Sequence, residues 1–191
     1  SGEQTQVKAM LERLDALRQA FPGNAEIVHE EAKAAFNIAA FAGEDEDWPQ
    51  VEAMQDRLDA LRQAFPGNAK IAVTAAKASA RIATAAGHAG EWDRVEAMLD
   101  RLDALHQVFS HKAEVVANDA LAAFNIATIA GDDENWEQVE AMRDRLDALR
   151  ERYGPDLVIH EDPQQPLTLE DAYNHAAHLN ERQDIKRSPT P

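Results

Sequence analysis

Apolar residues recur every three or four positions over most of this chain, which is the period of an amphipathic α-helix. In residues 48–65 the apolar positions are Trp48, Val51, Met54, Leu58, Leu61 and Phe65. At 100° per residue these side chains fall within an arc of roughly 140° on one helix face. No segment shows the sustained alternation that indicates a β-strand. The pattern therefore predicts an all-α protein.

The pattern is also repeated along the chain. The phrase Met-x-x-Arg-Leu-Asp-Ala-Leu begins every 44 residues, at Met10, Met54, Met98 and Met142. Tryptophan keeps the same period, at Trp48, Trp92 and Trp136. A period of 20 to 50 residues is the signature of a repeat architecture. The chain is therefore expected to be an array of similar units.

Each unit predicts two helices. In the second unit Pro66 and Gly67 end the first helix, Asn68 is a ready N-cap for the next, and Gly87 is expected at its C′ position. The predicted helices cover residues 4–21, 24–42, 48–65, 68–86, 92–109, 112–130 and 136–153. One such pair is too small to bury its apolar faces, so the copies must stack. We therefore predict an α-solenoid of antiparallel helix pairs.

The chain after residue 153 departs from the repeat. The array is expected over residues 1–153, with repeats at 10–53, 54–97, 98–141 and a partial 142–153. A Pro-rich, extended linker is predicted over 154–167. Thr168 begins a helix at 168–183 that is predicted to cap the stack, although docking elsewhere or swapping between molecules stays open. A disordered tail is expected at 184–191.

Composition excludes several classes of function. The 35 acidic and 19 basic residues give a net charge of −16, which opposes binding to nucleic acid or an anionic membrane. No cysteine is present, so disulfides, thiolate metal sites and a cysteine nucleophile are excluded. No apolar run approaches the roughly 20 residues of a membrane span. A cytoplasmic protein is expected, with a signal peptide outside this sequence left open.

The repeat resembles the tetratricopeptide repeat, and most closely the long repeats of the kinesin light chain type. The residues that carry the resemblance are Ala123-Phe124-Asn125-Ile126-Ala127, then Gly131, then Trp136 and Val139-Glu140. The resemblance covers about residues 24–153, with a longer period and a longer Gly-to-aromatic loop than usual. A HEAT-type or other α-solenoid is the alternative. The resemblance implies a scaffold whose groove, lined by helices 24–42, 68–86 and 112–130, binds a peptide or a helix.

Cations and amides stand at corresponding positions of these groove helices. The candidate peptide-binding residues are Lys33, Asn37, Lys70, Lys77, Arg81 and Asn125. They are similar to the carboxylate clamp of some co-chaperone tetratricopeptide domains, in which Lys, Arg and Asn hold a terminal carboxylate. Leu121 replaces a cation, and the order of residue types differs. One competing interpretation is that these cations only solubilise the helices and pair with nearby acids, and another is that a neighbouring chain buries this face.

Other patterns have a structural explanation. Arg13, Arg57, Arg101 and Arg145 recur at one slot, where half-buried ion pairs to carboxylates of a neighbouring repeat are expected. Aligned acids on the Trp-headed helices form a solvated face or a surface for a basic partner. His175 and His178 lie one turn apart, but no third ligand has a fixed spacing. The acidic loops at 44–47 and 132–135 lack the turn Gly and distal Glu of an EF-hand.

No phosphate loop, nucleophile elbow or zinc-protease motif occurs, so no catalytic residue, metal or cofactor is expected. We therefore predict a non-enzymatic module that binds a protein or a peptide, and the cations favour a ligand with an acidic group or a C-terminal carboxylate. The alternative is a self-assembling repeat protein that forms homo-oligomers through the repeat ends or the tail helix. A third hypothesis is an enzyme, or the regulatory domain of one, whose active part lies outside this sequence.

Overall fold

The chain is all-α, as predicted. The computed structural model describes residues 2–160 and 166–187, with side chains at 9–160 and 166–182. The helices are α1 (Gly2–Ala20), α2 (Ala25–Glu44), α3 (Trp48–Ala64), α4 (Ala69–His88), α5 (Trp92–Phe109), α6 (Ala113–Asp132), α7 (Trp136–Tyr153) and α8 (Leu169–Arg187). Consecutive helices pack against each other, which confirms a solenoid-like helical arrangement.

The chain divides into two compact units, Ser1–Ala78 and Ser79–Pro191, and the boundary falls inside α4. In the first unit α2 packs extensively against α3 and less extensively against α1. In the second unit α6 and α7 pack extensively, and α8 contacts both of them. The predicted grouping into array, linker, cap and tail stays a prediction.

Local chemistry explains where the helices begin. The Asn24 side chain accepts hydrogen bonds from the backbone N–H groups of Glu26 and Ile27. Asn68 does the same for Lys70 and Ile71, which confirms its predicted role as an N-cap. These bonds satisfy backbone donors that the first helical turn leaves without a partner.

The ends of α2, α4 and α6 share one geometry. A residue with positive φ follows each helix at the 44-residue period, and these residues are Glu46 (55°), Gly90 (72°) and Glu134 (56°). The prediction that Gly87 is the C′ residue is wrong, because that conformation falls three residues later. Gly87 is buried inside α4 instead.

The buried glycines permit close helix packing. A Cβ at Gly87 would lie 3.3 Å from Cδ1 of Ile129 on α6. A Cβ at Gly131 would lie 3.1 Å from both Cδ atoms of Leu179 on α8. Leu179 is buried with Ala130 and Val139 in a cluster that Trp92 and Trp136 border. The small residue at position 131 therefore brings α8 close to α6.

The segment between α7 and α8 contains a short β-structure. Strand β1 (Val158–His160) pairs antiparallel with β2 (Leu167–Thr168). The prediction that the chain has no strand, and that 154–167 is only an extended linker, is wrong at these residues. Residues 161–165 of that linker lie outside the described residues.

Helix α8 packs on α6 and α7, as a capping helix should. It begins with a capping box, in which the Asp171 N–H donates to Thr168 Oγ1 and the Thr168 N–H donates to Asp171 Oδ2. Its buried residues are Leu169, Ala172, Ala176 and Leu179. The helix runs to Arg187, so the predicted disorder is wrong for residues 184–187. Residues 188–191 lie outside the described chain.

One described helix, α6, has the length and composition that a membrane span requires, with a mean hydropathy of 1.2. About half of that window, 56%, is buried inside the protein. A buried core helix passes the same test, so this single helix is weak support for a membrane span. The predicted cytoplasmic location stays a prediction.

Candidate functional site

The six predicted groove residues are distributed over both compact units. Lys33, Asn37, Lys70 and Lys77 belong to the first unit, and Arg81 and Asn125 belong to the second. The cations are all exposed on their helices, and Asn125 is half-buried.

In the first unit, Lys33 and Asn37 lie one turn apart on the exposed face of α2. The Lys33 ammonium donates a 2.8 Å hydrogen bond to Oε1 of Glu30, one turn earlier. This hydrogen bond lowers the pKa of the fully exposed Glu30 carboxyl. The pair is the local ion pair expected of a solubilising lysine, so Lys33 matches that competing interpretation.

Lys70 and Lys77 lie on the first-unit part of α4, two turns apart and both exposed. The backbone of Lys70 serves the helix start, because its N–H donates to Asn68 and its carbonyl accepts from Thr74 Oγ1. Two turns of helix separate residues by about 10 Å along the axis. The two ammonium groups can therefore contact different parts of an extended ligand.

In the second unit, Arg81 and Asn125 belong to one polar surface. The Asn125 side-chain amide donates a 3.3 Å hydrogen bond to Thr84 Oγ1, which joins α6 to α4. Thr84 lies one turn after Arg81 on the same helix. The Thr84 hydroxyl in turn donates to the Ala80 carbonyl at 3.0 Å, so its position is fixed.

The polar surface continues onto α8. Oγ1 of Thr128 lies 3.0 Å from Nε2 of His175, one turn beyond Asn125 on α6. The His175 ring also contacts Phe124, with 5.0 Å between ring centroids. Burial lowers the pKa of His175, and the neighbouring His178 lowers it further, while Asp132 acts in the opposite direction. Neutral polar groups therefore run across three helices.

We call this row the α4–α6–α8 face and define it by Arg81, Thr84, Asn125, Thr128 and His175. An Asn amide carries two donors and an acceptor, and Thr and neutral His can each donate and accept. Such groups match the N–H and C=O groups of a peptide backbone. An adjacent Arg can add a charge-assisted bond to a carboxylate.

A second polar cluster lies within the second unit and is buried. The Asp119 carboxylate is 1% exposed and accepts a 2.6 Å hydrogen bond from Nε of Arg145. Its other oxygen lies 3.0 Å from Nδ1 of His106. Nε2 of His106 lies 2.7 Å from the Tyr153 hydroxyl, and the two rings stack. Arg145 also donates to Asp103 at 2.6 Å.

These neighbours determine the protonation of Arg145. Burial alone would lower the pKa of its guanidinium, but Asp119 and Asp103 outweigh burial and raise the pKa. The cation therefore stays charged. A paired, buried charge of this kind holds helices in register and offers no open position for a substrate.

The first unit contains a counterpart of this cluster, 88 residues earlier in the chain. Glu31 is 0% exposed and lies 2.9 Å from Arg57 and 3.5 Å from Arg18. Arg57 also donates to Asp15 at 2.6 Å. Acid, arginine and second acid thus occupy the same repeat positions in both clusters.

The predicted role of the repeated arginines is confirmed at Arg57 and Arg145, whose carboxylate partners come from a neighbouring repeat. It is wrong for Arg13, which is exposed. Sequence analysis also missed His106 and its buried partner Asp119. Position 106 holds His where the other repeats have arginine, at Arg18, Arg62 and Arg150, and that exchange was the available signal.

Metal ligands do not cluster in the described residues, where no group of three His, Asp or Glu side chains could hold an ion. Nδ1 of His178 lies 3.7 Å from Glu181, and His175 is directed to Thr128. The pair His175 and His178 therefore has separate protein neighbours.

No protein-family model, no curated protein and no solved structure matches this chain. The fold is a helical repeat, and its assignment to the tetratricopeptide type stays a prediction.

Proposed function

We propose that this chain is a non-enzymatic interaction module that binds an extended acidic segment of a protein, or its C-terminal carboxylate, on the α4–α6–α8 face. The observation that carries the proposal is the hydrogen bond from Asn125 on α6 to Thr84 on α4. It gives a half-buried amide a defined orientation beside the exposed Arg81. Defined polar groups on rigid helices favour recognition over simple solubility.

The chemistry of the face selects the ligand. Among the described residues the Asn125 side chain makes one hydrogen bond, to Thr84, so it has further donor and acceptor capacity for a peptide backbone. Arg81 is the exposed cation of the row, one turn from Thr84. In a chain with a net charge of −16, a local cation also directs an acidic ligand to this face and away from the rest.

The tetratricopeptide resemblance adds a second argument for the same function, because arrays of that type use their first helices as a binding surface. Lys33, Lys70 and Lys77 belong to the first unit, and there they stay separate candidates for an acidic ligand. Lys33 is the weakest of these candidates, because its ammonium is paired with Glu30. We place the main contact on Arg81 and Asn125.

A displayed library of random peptides with free C-termini tests the proposal. Selected peptides should be rich in Asp and Glu or share a C-terminal motif, and Arg81→Glu combined with Asn125→Ala should weaken their binding at least about tenfold. Arg152→Glu is the matched control, because it makes the same change of charge as Arg81→Glu at an exposed position of α7. An equal loss of peptide affinity in both variants would show that the effect comes from the net charge of the chain and not from this face.

The proposal fails if selection enriches no peptide, or if selected peptides bind the double variant as tightly as the unchanged chain. Circular dichroism of each variant must show unchanged helix content, because Asn125 also joins two helices. Thr84→Val separates the role of Asn125 in joining helices from its role in binding. It removes the hydroxyl that accepts the Asn125 hydrogen bond and keeps the Arg81 and Asn125 side chains.

A further inference from the structure

Helix α1 exposes a stripe of apolar side chains that the other repeats bury. The stripe consists of the exposed Met10 and Leu17, the half-buried Leu14 between them, and the exposed Phe21 directly after the last helical residue. Leu17 is 42% exposed, whereas its counterparts Leu61 and Leu105 are 0% and 1% exposed. Phe21 is 55% exposed, against 7% for its counterpart Phe109. The repeats therefore share the same apolar motif and differ in how far neighbouring helices bury it.

The packing of the other helices explains the difference. In the first unit α3 packs most extensively against α2, the helix that precedes it, and in the second unit α7 packs likewise against α6. Helix α1 packs on α2 less extensively than α3 does, and Met10, Leu17 and Phe21 stay exposed in this arrangement. Phe41 on α2 is also exposed, so much of the exposed apolar surface belongs to these two helices.

The last helix differs from the first. The outward positions of α8 are polar, and these are Asp171, Asn174, His178 and Glu181. A polar outer face is what a terminal helix of a repeat array requires for solubility. Over residues 169–182, whose side chains are described, the outer face of α8 therefore offers polar groups to the stripe of a second molecule, and a head-to-tail contact with this part of α8 is disfavoured.

We propose that a second copy of this chain covers the α1 stripe, through a two-fold antiparallel contact between the two α1 helices. The steps between stripe residues are four, three and four, which is the spacing of the a and d positions of a coiled coil. A two-fold axis midway along the stripe sets Met10 opposite Phe21 of the other copy, and Leu14 opposite Leu17. A face that is its own complement gives a closed dimer.

Charge permits this contact. Helix α1 contains three acids and three bases, Glu3, Glu12, Asp15, Lys8, Arg13 and Arg18, so its net charge is zero. The chain as a whole carries −16, and two copies would repel each other through most other surfaces. The neutral helix is thus a suitable place for two molecules to meet.

The size of the stripe predicts a weak dimer. From Met10 to Phe21 it extends about 16 Å along the helix axis, at 1.5 Å per residue. A contact of that length lies at the small end of specific interfaces, where complexes form and separate readily. The dimer should therefore depend on protein concentration in the micromolar range. It is independent of peptide binding on the α4–α6–α8 face.

Cross-linking tests the arrangement directly, because the chain has no cysteine and each introduced thiol is unique. A mixture of Met10→Cys and Phe21→Cys chains should form a disulfide between the two variants faster than either variant forms one with itself. Val108→Cys, on an exposed apolar residue of α5, is the matched control. A mixture that cross-links no faster than this control, or single variants that link to themselves as fast as the mixture cross-links, would overturn the proposal.

Sedimentation equilibrium from about 5 to about 500 μM supplies the affinity without modification. The unchanged chain and Val108→Glu should show the same dimer constant, and Leu17→Glu should weaken it at least about tenfold. Circular dichroism shows whether α1 stays folded, and Leu17→Ala is the milder variant if it does not. A monomer at every concentration would overturn the proposal and assign the stripe to a different protein or a preceding segment.

Discussion

Removal of the buried Asp119 carboxylate should destabilise the second unit more than removal of any exposed acid. In Asp119→Ala the Arg145 guanidinium, whose side chain is 17% exposed, loses a 2.6 Å partner. Nδ1 of His106 loses its partner as well. Loss of one member of a buried pair costs about 3–5 kcal/mol, and because Arg145 keeps Asp103 we expect about 3 kcal/mol.

Urea denaturation followed by circular dichroism measures this loss, and thermal denaturation should show the midpoint lower by about 6–12 °C. Asp103→Ala is the matched control, because Asp103 is 53% exposed and bonds the same arginine. An exposed pair contributes about 1 kcal/mol or less, so this variant should be nearly neutral.

A double-mutant cycle separates pairing from packing. Asp119→Ala combined with Arg145→Met removes both charges, so part of the stability lost in Asp119→Ala should return. The reasoning is refuted if Asp119→Ala costs no more than Asp103→Ala, or if the double variant loses the sum of the single losses. The chain itself has Ala75 at the corresponding position of the intervening repeat, so alanine is compatible with the helix.

Three further predictions concern helix ends and packing. Glu134→Gly should raise stability by about 0.5–1 kcal/mol in urea denaturation, because φ is 56° at Glu134 and positive φ strains a residue with a Cβ; a loss would contradict this. Gly131→Ala should lower the free energy of unfolding by about 1 kcal/mol, because overpacking against Leu179 exceeds the gain in helix propensity. Gly67→Ala is the control and should cause no such loss, because no atom lies within 4 Å of the added Cβ. Because burial lowers the pKa of His175 in the folded state, the contribution of this residue to the free energy of unfolding is complete above about pH 6.5 and is lost on acidification. In His175→Asn the thermal midpoint should therefore fall less between about pH 7.5 and 5.5 than in the unchanged chain. An unchanged dependence on pH would contradict this.

The helices could be predicted because their signals are local. The Asn68 cap, the apolar stripe of α3 and the capping box at Thr168 involve residues within one or two turns of each other. The 44-residue period then extends each assignment to every copy. The helix ends were less accurate, since a positive φ at Glu46 or Glu134 is not expected of glutamate.

Contacts between helices could not be predicted in the same way. Residues 13–25 and 57–69 have identical sequences, yet Leu17 is 42% exposed and Leu61 is buried. The difference arises from which helix covers each stripe, and that information lies elsewhere in the chain. The pairing of His106 with Asp119 likewise depends on which faces of α5 and α6 meet.

Two residues of the proposed site, Arg81 and Asn125, were candidates from the sequence, and their role stays a prediction. Sequence analysis selected Asn125 and Arg81 from their positions on the groove helices. Thr128 and His175 were not selected as site residues, because the contact of α8 with α6 follows from the tertiary packing of the C-terminal segment. The intervening strand pair, β1 and β2, was also unexpected, and it is too short to leave a clear alternation in sequence.

An NMR titration of the full chain with a selected acidic peptide tests the central claim most directly. Binding on the α4–α6–α8 face predicts saturable shifts of the side-chain amide of Asn125, of the Arg81 guanidinium and of the His175 ring. The amide resonances of α1 should stay in place, since its stripe serves a different contact. Shifts confined to other helices, or none at saturating peptide, would contradict the account of this chain as a binding module on that face.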